Sequence, residues 1–420
     1  MVRTILSAIS LVLLAMPAAL AQEKKIPITG LAHAELASFD EMMLKFMEEN
    51  QVHGASLAVV KDGRLVYARG FGHADAQLGL PVTPNMRFRI ASISKPITAA
   101  AILRLIELGL LKLDDNPFDV LKIALPDAGD ARLKKITIRQ LLQHTAGWDR
   151  DKSFDPMFRP IIIAKDQKAE PPAKPMNIIH YMVKRKLDFE PGDRYAYSNF
   201  GYCILGRVIE KAGGMSYEAF VQKHVFDPIG VRQTQLGHTL SAAKNEVHYF
   251  DEKDRKANAV MGPNLGKPVP LPYGAWCLES MDAHGGWIAT ASDLVRFASA
   301  FNHPDNCKIL KADSIKTMFA RPDGLAGHTK AGKSKDVYYG CGWQVGEAGK
   351  GKINTWHTGA LDGTATLLVR RSDGLCWAVL FNNRNNAKGT YLGGLIDPLL
   401  HQAADKVKRW PARNLFDNEK

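Results

Sequence analysis

From Ile97 to Leu113 the chain offers almost no polar face: Ile97, Ala100, Ala101, Ile102, Leu105, Ile106 and Leu108 fall on nearly every side of a helix with 3.6 residues per turn. Such a helix cannot lie on a protein surface. It has to be wrapped by other elements, which makes it the inner element of a core. With 46% hydrophobic residues the chain carries enough apolar side chains to build that wrapping.

Directly ahead of this run stands Phe88-Arg89-Ile90-Ala91-Ser92-Ile93-Ser94-Lys95. Side chains three apart on a helix share a face, so the Lys95 amine can sit beside the Ser92 hydroxyl and take its proton. Ser92 would stand in the first helical turn, where unpaired backbone N–H groups and the positive end of the dipole favour developing negative charge. Pro96 fits there only within or just after that first turn. The helix is expected to run on to Leu113, closed by Asp114 and Asp115 ahead of Pro117. A second Ser-x-x-Lys, Ser241 to Lys244, leads into Asn245-Glu246-Val247-His248-Tyr249-Phe250-Asp251 and has no apolar run behind it. It reads as a chance match, and a nucleophile is better held on the rigid central helix.

Residues 1–21 read as a cleavable leader: Arg3 precedes the apolar run Ile5 to Met16, and Ala19-Leu20-Ala21 supplies a small-x-small cleavage site before Gln22. The mature protein is therefore expected in the periplasm or outside the cell. No later stretch is long and apolar enough to span a bilayer, so no stable membrane insertion is expected after leader removal. The net charge of +12 comes from 55 basic and 43 acidic residues that are scattered among one another. That is a solvated surface rather than a polyanion site, and no basic-aromatic interleaving or zinc-finger spacing points to nucleic acid. Cys-x-x-Cys and His-Glu-x-x-His are absent, leaving a metal mechanism without its usual signals. Cys203, Cys277, Cys307, Cys341 and Cys376 are widely spaced, and an exported location permits disulfides. Cys203 and Cys376 lie within apolar runs and serve equally well as buried small hydrophobes.

Ala34 to Glu49 reads as an amphipathic helix with Leu36, Phe39, Met43, Phe46 and Met47 on one side. Ala55 to Val60 and Arg64 to Ala68 flank Asp62-Gly63, a two-residue hairpin turn. Ile136 to Gly147 reads as a capped helix, with His144 a structural residue near its end. Asp149 to Asp193 is charged and rich in prolines, an irregular cover of the kind that often forms a lid. Then comes Tyr195-Ala196-Tyr197-Ser198-Asn199, a phenol and an amide on one loop: near an ammonium, Tyr197 would ionise more easily and act as a base. Residues 232–280 read as an exposed connection, and His284-Gly285-Gly286 as a tight turn before a helix from Ser292 to Ala300. Strands follow at Cys341 to Val345, Asn354 to His357, Thr364 to Arg370 and Leu375 to Phe381, then a helix from Tyr391 to Val407. Strands at both ends with helices between imply a sheet assembled from the two termini, with the site at its junction with a helical region. His357-Thr358-Gly359-Ala360 comes off a strand into that cleft. Gly359 would let a substrate approach the backbone, and the N–H groups of Ser92 and Ala360 would form an oxyanion hole.

In this order, Ser92-x-x-Lys95, Tyr197-Ser198-Asn199 and His357-Thr358-Gly359, with the flanks Ile136 to Gly147, Gly201 to Glu210 and Gly285-Gly286, resemble the serine β-lactamase-like superfamily. The likeness is to its class C branch, with D-aminopeptidases, penicillin-binding carboxypeptidases and lactamase-fold esterases. It covers most of the mature chain. The resemblance implies an α/β fold: an antiparallel sheet from the N- and C-terminal strands (about 22–95 and 285–420), flanked by helices, with an inserted mostly helical region (about 96–284). It also implies Ser92 as the acylated nucleophile, Lys95 as its partner, Tyr197 as base and proton shuttle, and Asn199 as a contact to substrate and Lys95. His357, Thr358, Gly359 and Ala360 would line the substrate, and no cofactor is needed.

Many members have Lys-Thr-Gly where this chain has His357-Thr358-Gly359. A neutral imidazole anchors a carboxylate less well than an ammonium, which weakens the reading as a β-lactamase or D-Ala peptidase. Arg384, among Asn382, Asn383, Asn385 and Asn386, is a candidate replacement for the charge. The expected function is an exported serine hydrolase of small esters or amides, carboxylesterase-like. The alternatives are a β-lactamase or D-amino-acid peptidase, and a non-catalytic scaffold with the same fold. Gly-x-Ser-x-Gly is absent, which argues against an α/β-hydrolase.

Overall fold

The computed structural model describes residues 25–418. The expected leader, residues 1–21, lies outside the described residues. Among the described residues nine strands form one sheet: β1 (Ile28–Thr29), β2 (Gly54–Lys61), β3 (Arg64–Asp75), β4 (Leu80–Pro81), β5 (Val337–Tyr339), β6 (Gln344–Glu347), β7 (Ile353–Leu361), β8 (Thr364–Arg370) and β9 (Leu375–Phe381). Their order is β1-β3-β2-β9-β8-β7-β6-β5, with β4 paired to β3. All these pairings are antiparallel. The seam between the two ends of the chain is β2 against β9, in the register Ala55↔Phe381 to Lys61↔Leu375. As expected from Asp62-Gly63, the β2–β3 turn has positive φ at both residues, 49° and 77°, as a type I′ hairpin requires.

Alternation along β9 explains why the sheet is covered on both faces. Leu375, Trp377, Val379 and Phe381 join one apolar cluster, while Cys376, Ala378 and Leu380 join another. The first cluster is completed by α1 (Ala37–Asn50), through Phe39, Met43 and Phe46, and by the C-terminal helix Leu392–Asp405, through Leu392, Ile396 and Leu400. The second takes in Leu294, Val295 and Ala298 of the helix Ala291–Ser299 and continues into the helical region.

That region surrounds α2 (Ser94–Glu107), in which every residue from Ser94 to Leu103 is buried. The apolar run does build the inner helix, with Pro96 in its first turn, but the helix stops at Glu107 and not near Leu113. Gly109 takes φ 72°, and the N–H groups of Gly109 and Leu110 close on the carbonyls of Ile106 and Leu105. Leu108 and Leu110 are left exposed.

The next helix is likewise shorter than expected. α3 (Ile138–Leu142) starts on a reciprocal cap between Thr137 and Gln140 and ends before His144, whose φ of 58° cannot continue it. The proline-rich stretch is irregular only in part: Pro160 and Pro175 each begin a helix, α4 (Pro160–Asp166) and α5 (Pro175–Met182), at the position where a missing N–H costs nothing. α6 (Asn199–Gly213) packs along α2 and is capped by Ser198, so the amide of Asn199 sits on a helix and not on a loop. Residues 232–280 are only partly exposed; Tyr249, Trp276, Cys277 and Leu278 are buried. All five cysteines are free thiols, and Cys203 and Cys376 are buried. Among the described residues no helix is long and apolar enough to cross a membrane.

Candidate active site

The stretch Arg89 to Ser92 is fastened to the sheet before α2 begins. Thr364 Oγ1 and Thr366 Oγ1 donate to the carbonyls of Arg89 and Ile90, each at 3.0 Å. Ala91 takes φ 48°, a left-handed conformation that an alanine adopts only when its surroundings hold it there. The turn presses so closely on β7 that a Cβ on Gly359 would stand 2.2 Å from the Ile90 carbonyl oxygen and 2.2 Å from Thr366 Oγ1. Gly359 does not line the cavity described below. Its missing side chain makes room for the nucleophile turn, a different use from the substrate approach expected of it.

At the end of this turn Ser92 Oγ lies 3.1 Å from Lys95 Nζ and accepts a hydrogen bond from Tyr197 Oη at 2.7 Å. Lys95 Nζ also donates to Asn199 Oδ1 at 2.8 Å and to the His284 carbonyl at 3.0 Å. The orientation of the Asn199 amide is fixed from behind, because its Nδ2 donates to the Asp155 carboxylate at 2.6 Å. Burial pushes the Lys95 ammonium well below its ordinary range; Asp155 opposes this and Arg150 adds to it. A neutral amine has two N–H groups and one lone pair. In that form two carbonyl oxygens would take the N–H groups and the lone pair would be left for the Ser92 hydroxyl hydrogen.

Tyr197 departs from expectation. Burial raises its phenol above the ordinary range, outweighing the hydrogen bond to Ser92 and the charge of Arg150, both of which lower it. The group therefore stands as a phenol that donates to Ser92, not as an easily ionised base.

These residues face a cavity of about 500 Å³ lined by Ser92, Tyr197, Asn199, His357, Thr358 and Ala360 among others. β6 pairs with β7 only from Ile353 to Trp356, so Thr358 and Ala360 lie beyond the end of that partner strand. His357 is buried, its Nδ1 2.7 Å from the Thr358 carbonyl and its Nε2 2.9 Å from Tyr339 Oη. A carbonyl only accepts, so the proton is on Nδ1 and Nε2 accepts from the tyrosine. Burial, helped by Lys95, lowers the His357 value to about 3, so the imidazole brings no positive charge to the strand.

Six of the eight expected site residues thus line one cavity; Lys95 lies beneath it and Gly359 behind it. Sequence reasoning missed Arg150 and Asp155 altogether. Arg150 has its guanidinium 4.6 Å from the centre of the Tyr197 ring, with Lys95 Nζ 4.7 Å from the same centre. Asp155, before Pro156, caps the turn Pro156–Phe158 through the Met157 N–H and carries Asn199 on its other oxygen. An Asp-Pro pair signals a turn, and nothing in the sequence ties that turn to Asn199. Arg384 does line the cavity, 3.5 Å from Asp362.

The model of the Beta-lactamase family matches residues 39–398. Penicillin-binding protein 4* of Bacillus subtilis (strain 168) is 28% identical over 343 residues, which are 78% of this chain and 67% of its own length. The chain spans 60% and 44% of the next two curated relatives, so these proteins extend well beyond what it matches. Among solved structures, the D-amino acid amidase from Ochrobactrum anthropi SV3 complexed with L-phenylalanine amide superposes with a TM-score of 0.66 at 19% identity, over 90% of this chain and 99% of that one. EstCE1, a hydrolase with promiscuous acyltransferase activity, gives 0.68 at 21% identity over 89% and 99%. At these identities the superpositions speak for the fold, and it is the family match over residues 39–398 that carries the conclusion: the chain belongs to the Beta-lactamase family of serine hydrolases.

Proposed function

We propose that the chain hydrolyses small esters or amides through an acyl-enzyme on Ser92. The observation that carries this reading is the position of Ser92 Oγ, between an amine at 3.1 Å and a phenol at 2.7 Å, on a turn that opens into a cavity of about 500 Å³. Lys95, kept neutral by burial, takes the Ser92 proton as the oxygen attacks the carbonyl carbon. The oxyanion forms beside the Ser92 and Ala360 N–H groups, which are the assigned donors. The departing oxygen or nitrogen takes its proton from the Tyr197 phenol. The Lys95 ammonium made in the first step lies against the same ring and balances the phenolate. Water then attacks the ester on Ser92 and gives its proton to the Tyr197 phenolate, while Lys95 returns its proton to the departing Ser92 oxygen, which restores the starting site.

Labelling by a fluorophosphonate tests the assignment. Wild type should be labelled and Ser92→Ala should not; equal labelling of the two would put the nucleophile elsewhere. Turnover of short p-nitrophenyl esters, set against nitrocefin and D-Ala-p-nitroanilide, then separates esterase, lactamase and peptidase. A folded protein without activity on any of them would be the scaffold of the third reading.

One feature favours a carboxylate-bearing substrate, a β-lactam or a D-amino-acid peptide, as the second reading. Arg150 and Arg384 both line the cavity, and among the described residues neither guanidinium donates a hydrogen bond; the carboxylates nearest them are 3.5 to 4.0 Å away. We further assign residues 1–21 as an export leader cut after Ala21 and residues 22–420 as one domain. N-terminal sequencing of the protein recovered from its host, starting at Gln22, would support this, and a start at Met1 would not.

A further inference from the structure

His144 takes no part in the chemistry above, yet its backbone and its ring both contact the segment that carries Tyr197. The backbone N–H groups on either side of Tyr197 both end on this one residue. Ala196 N–H donates to the His144 carbonyl at 2.9 Å, and Ser198 N–H donates to His144 Nδ1 at 3.2 Å. The imidazole then lies 4.5 Å from the Tyr197 ring and 4.5 Å from the Tyr339 ring, centre to centre. Because Nδ1 accepts, the proton is on Nε2, which is buried with no hydrogen-bond partner among the described residues. The backbone of His144 is itself left-handed, with φ 58°. A stranded buried N–H and a left-handed conformation both cost stability, and such costs persist where the surroundings enforce a particular geometry.

We propose that His144 is the positioning residue of this site: its carbonyl and Nδ1 hold the chain on both sides of Tyr197, and its ring backs the phenol, so that Oη stays in hydrogen-bond reach of Ser92 Oγ. The inference rests on the role assigned to Tyr197 above. It also explains why the position is an imidazole on a left-handed residue. The ring nitrogen next to Cβ is the only one used, and the flat ring fills the space between two tyrosines.

Acyl-enzyme formation on an alkyl ester, whose alkoxide leaves only with a proton, tests this with a double-mutant cycle on the full chain. Tyr197→Phe and His144→Ala should each lower kcat, the second by about 10²-fold with KM little changed, since a small misplacement of a catalytic group costs that much. The double variant should be no slower than Tyr197→Phe alone, because the histidine acts only through the phenol. His144→Asn keeps a left-handed residue and puts Oδ1 where Nδ1 was, and should restore most of the rate. His144→Gln carries its oxygen one bond farther out and should not. Multiplicative losses in the double variant, or a rate intact in His144→Ala or His144→Gln while Tyr197→Phe is slow, would overturn the proposal and leave the role of Tyr197 standing. A rate intact in Tyr197→Phe would remove that role and this inference with it. Thermal melts identify a variant that is slow because it is unfolded; in that case the Asn and Gln pair decides.

Discussion

The chain contains Ser-x-x-Lys twice, and the two copies have nothing in common but their spacing. Ser92 and Lys95 sit at the start of a helix buried on all sides, with the amine entirely inside and given three defined oxygen neighbours. Ser241 and Lys244 lie exposed on a stretch without helix, where residues three apart share no face, and among the described residues no hydrogen bond joins their side chains. Spacing thus counts for little. What turns a lysine into a base is the loss of water around it, and what turns a serine into a nucleophile is a base it cannot move away from.

Three measurements press on this contrast, the first with the largest effect. Ser92→Ala should reduce ester turnover by roughly 10⁴-fold or more, while Ser241→Ala stays at wild-type rate; any comparable loss in the second would mean the exposed copy takes part. Next, Lys95→Ala should cost about 10²–10⁴-fold in acylation, the range of a general base, and Lys244→Ala nothing measurable. The smallest effect is on stability. Lys95 has its value lowered in the folded state from 10.5, so between the lowered value and 10.5 the unfolded chain binds more protons than the folded one. Wild-type stability should therefore rise with pH through that window. Denaturation of Lys95→Met should lack this part of the rise, whereas Lys244→Met should keep it; parallel pH curves for wild type and Lys95→Met would show that the amine is charged in the folded protein.

Much of the fold was legible because it is written in periodicity. The alternation of Leu375 to Phe381, the Asp62-Gly63 turn and the unbroken apolar run after Ser92 each fix a local structure whatever surrounds them. The errors came where one residue type has two uses. The prolines of Asp149 to Asp193 read as marks of an irregular cover, yet Pro160 and Pro175 open helices. Gly359 was read as room for substrate, and the space goes to Ile90. The phenol of Tyr197 was expected to ionise beside a cation, but burial acts on it more strongly than the neighbouring charge. Arg150 and Asp155 were beyond reach for another reason: each meets the site through a loop whose path no spacing rule describes, and only the folded chain brings them to Tyr197 and Asn199.

The fastening of Arg89 and Ile90 by Thr364 and Thr366 joins residues 275 and 276 positions apart. During synthesis the serine and its lysine leave the ribosome long before the hydroxyls that hold their turn in shape, and closing a loop this long carries a large entropy cost. A chain that stops short of Thr364 carries Ser92, Lys95 and Tyr197 and lacks the two hydroxyls that fasten the turn ahead of them. Chains arrested there should take no fluorophosphonate; labelling at the wild-type rate would show that the turn is held without them.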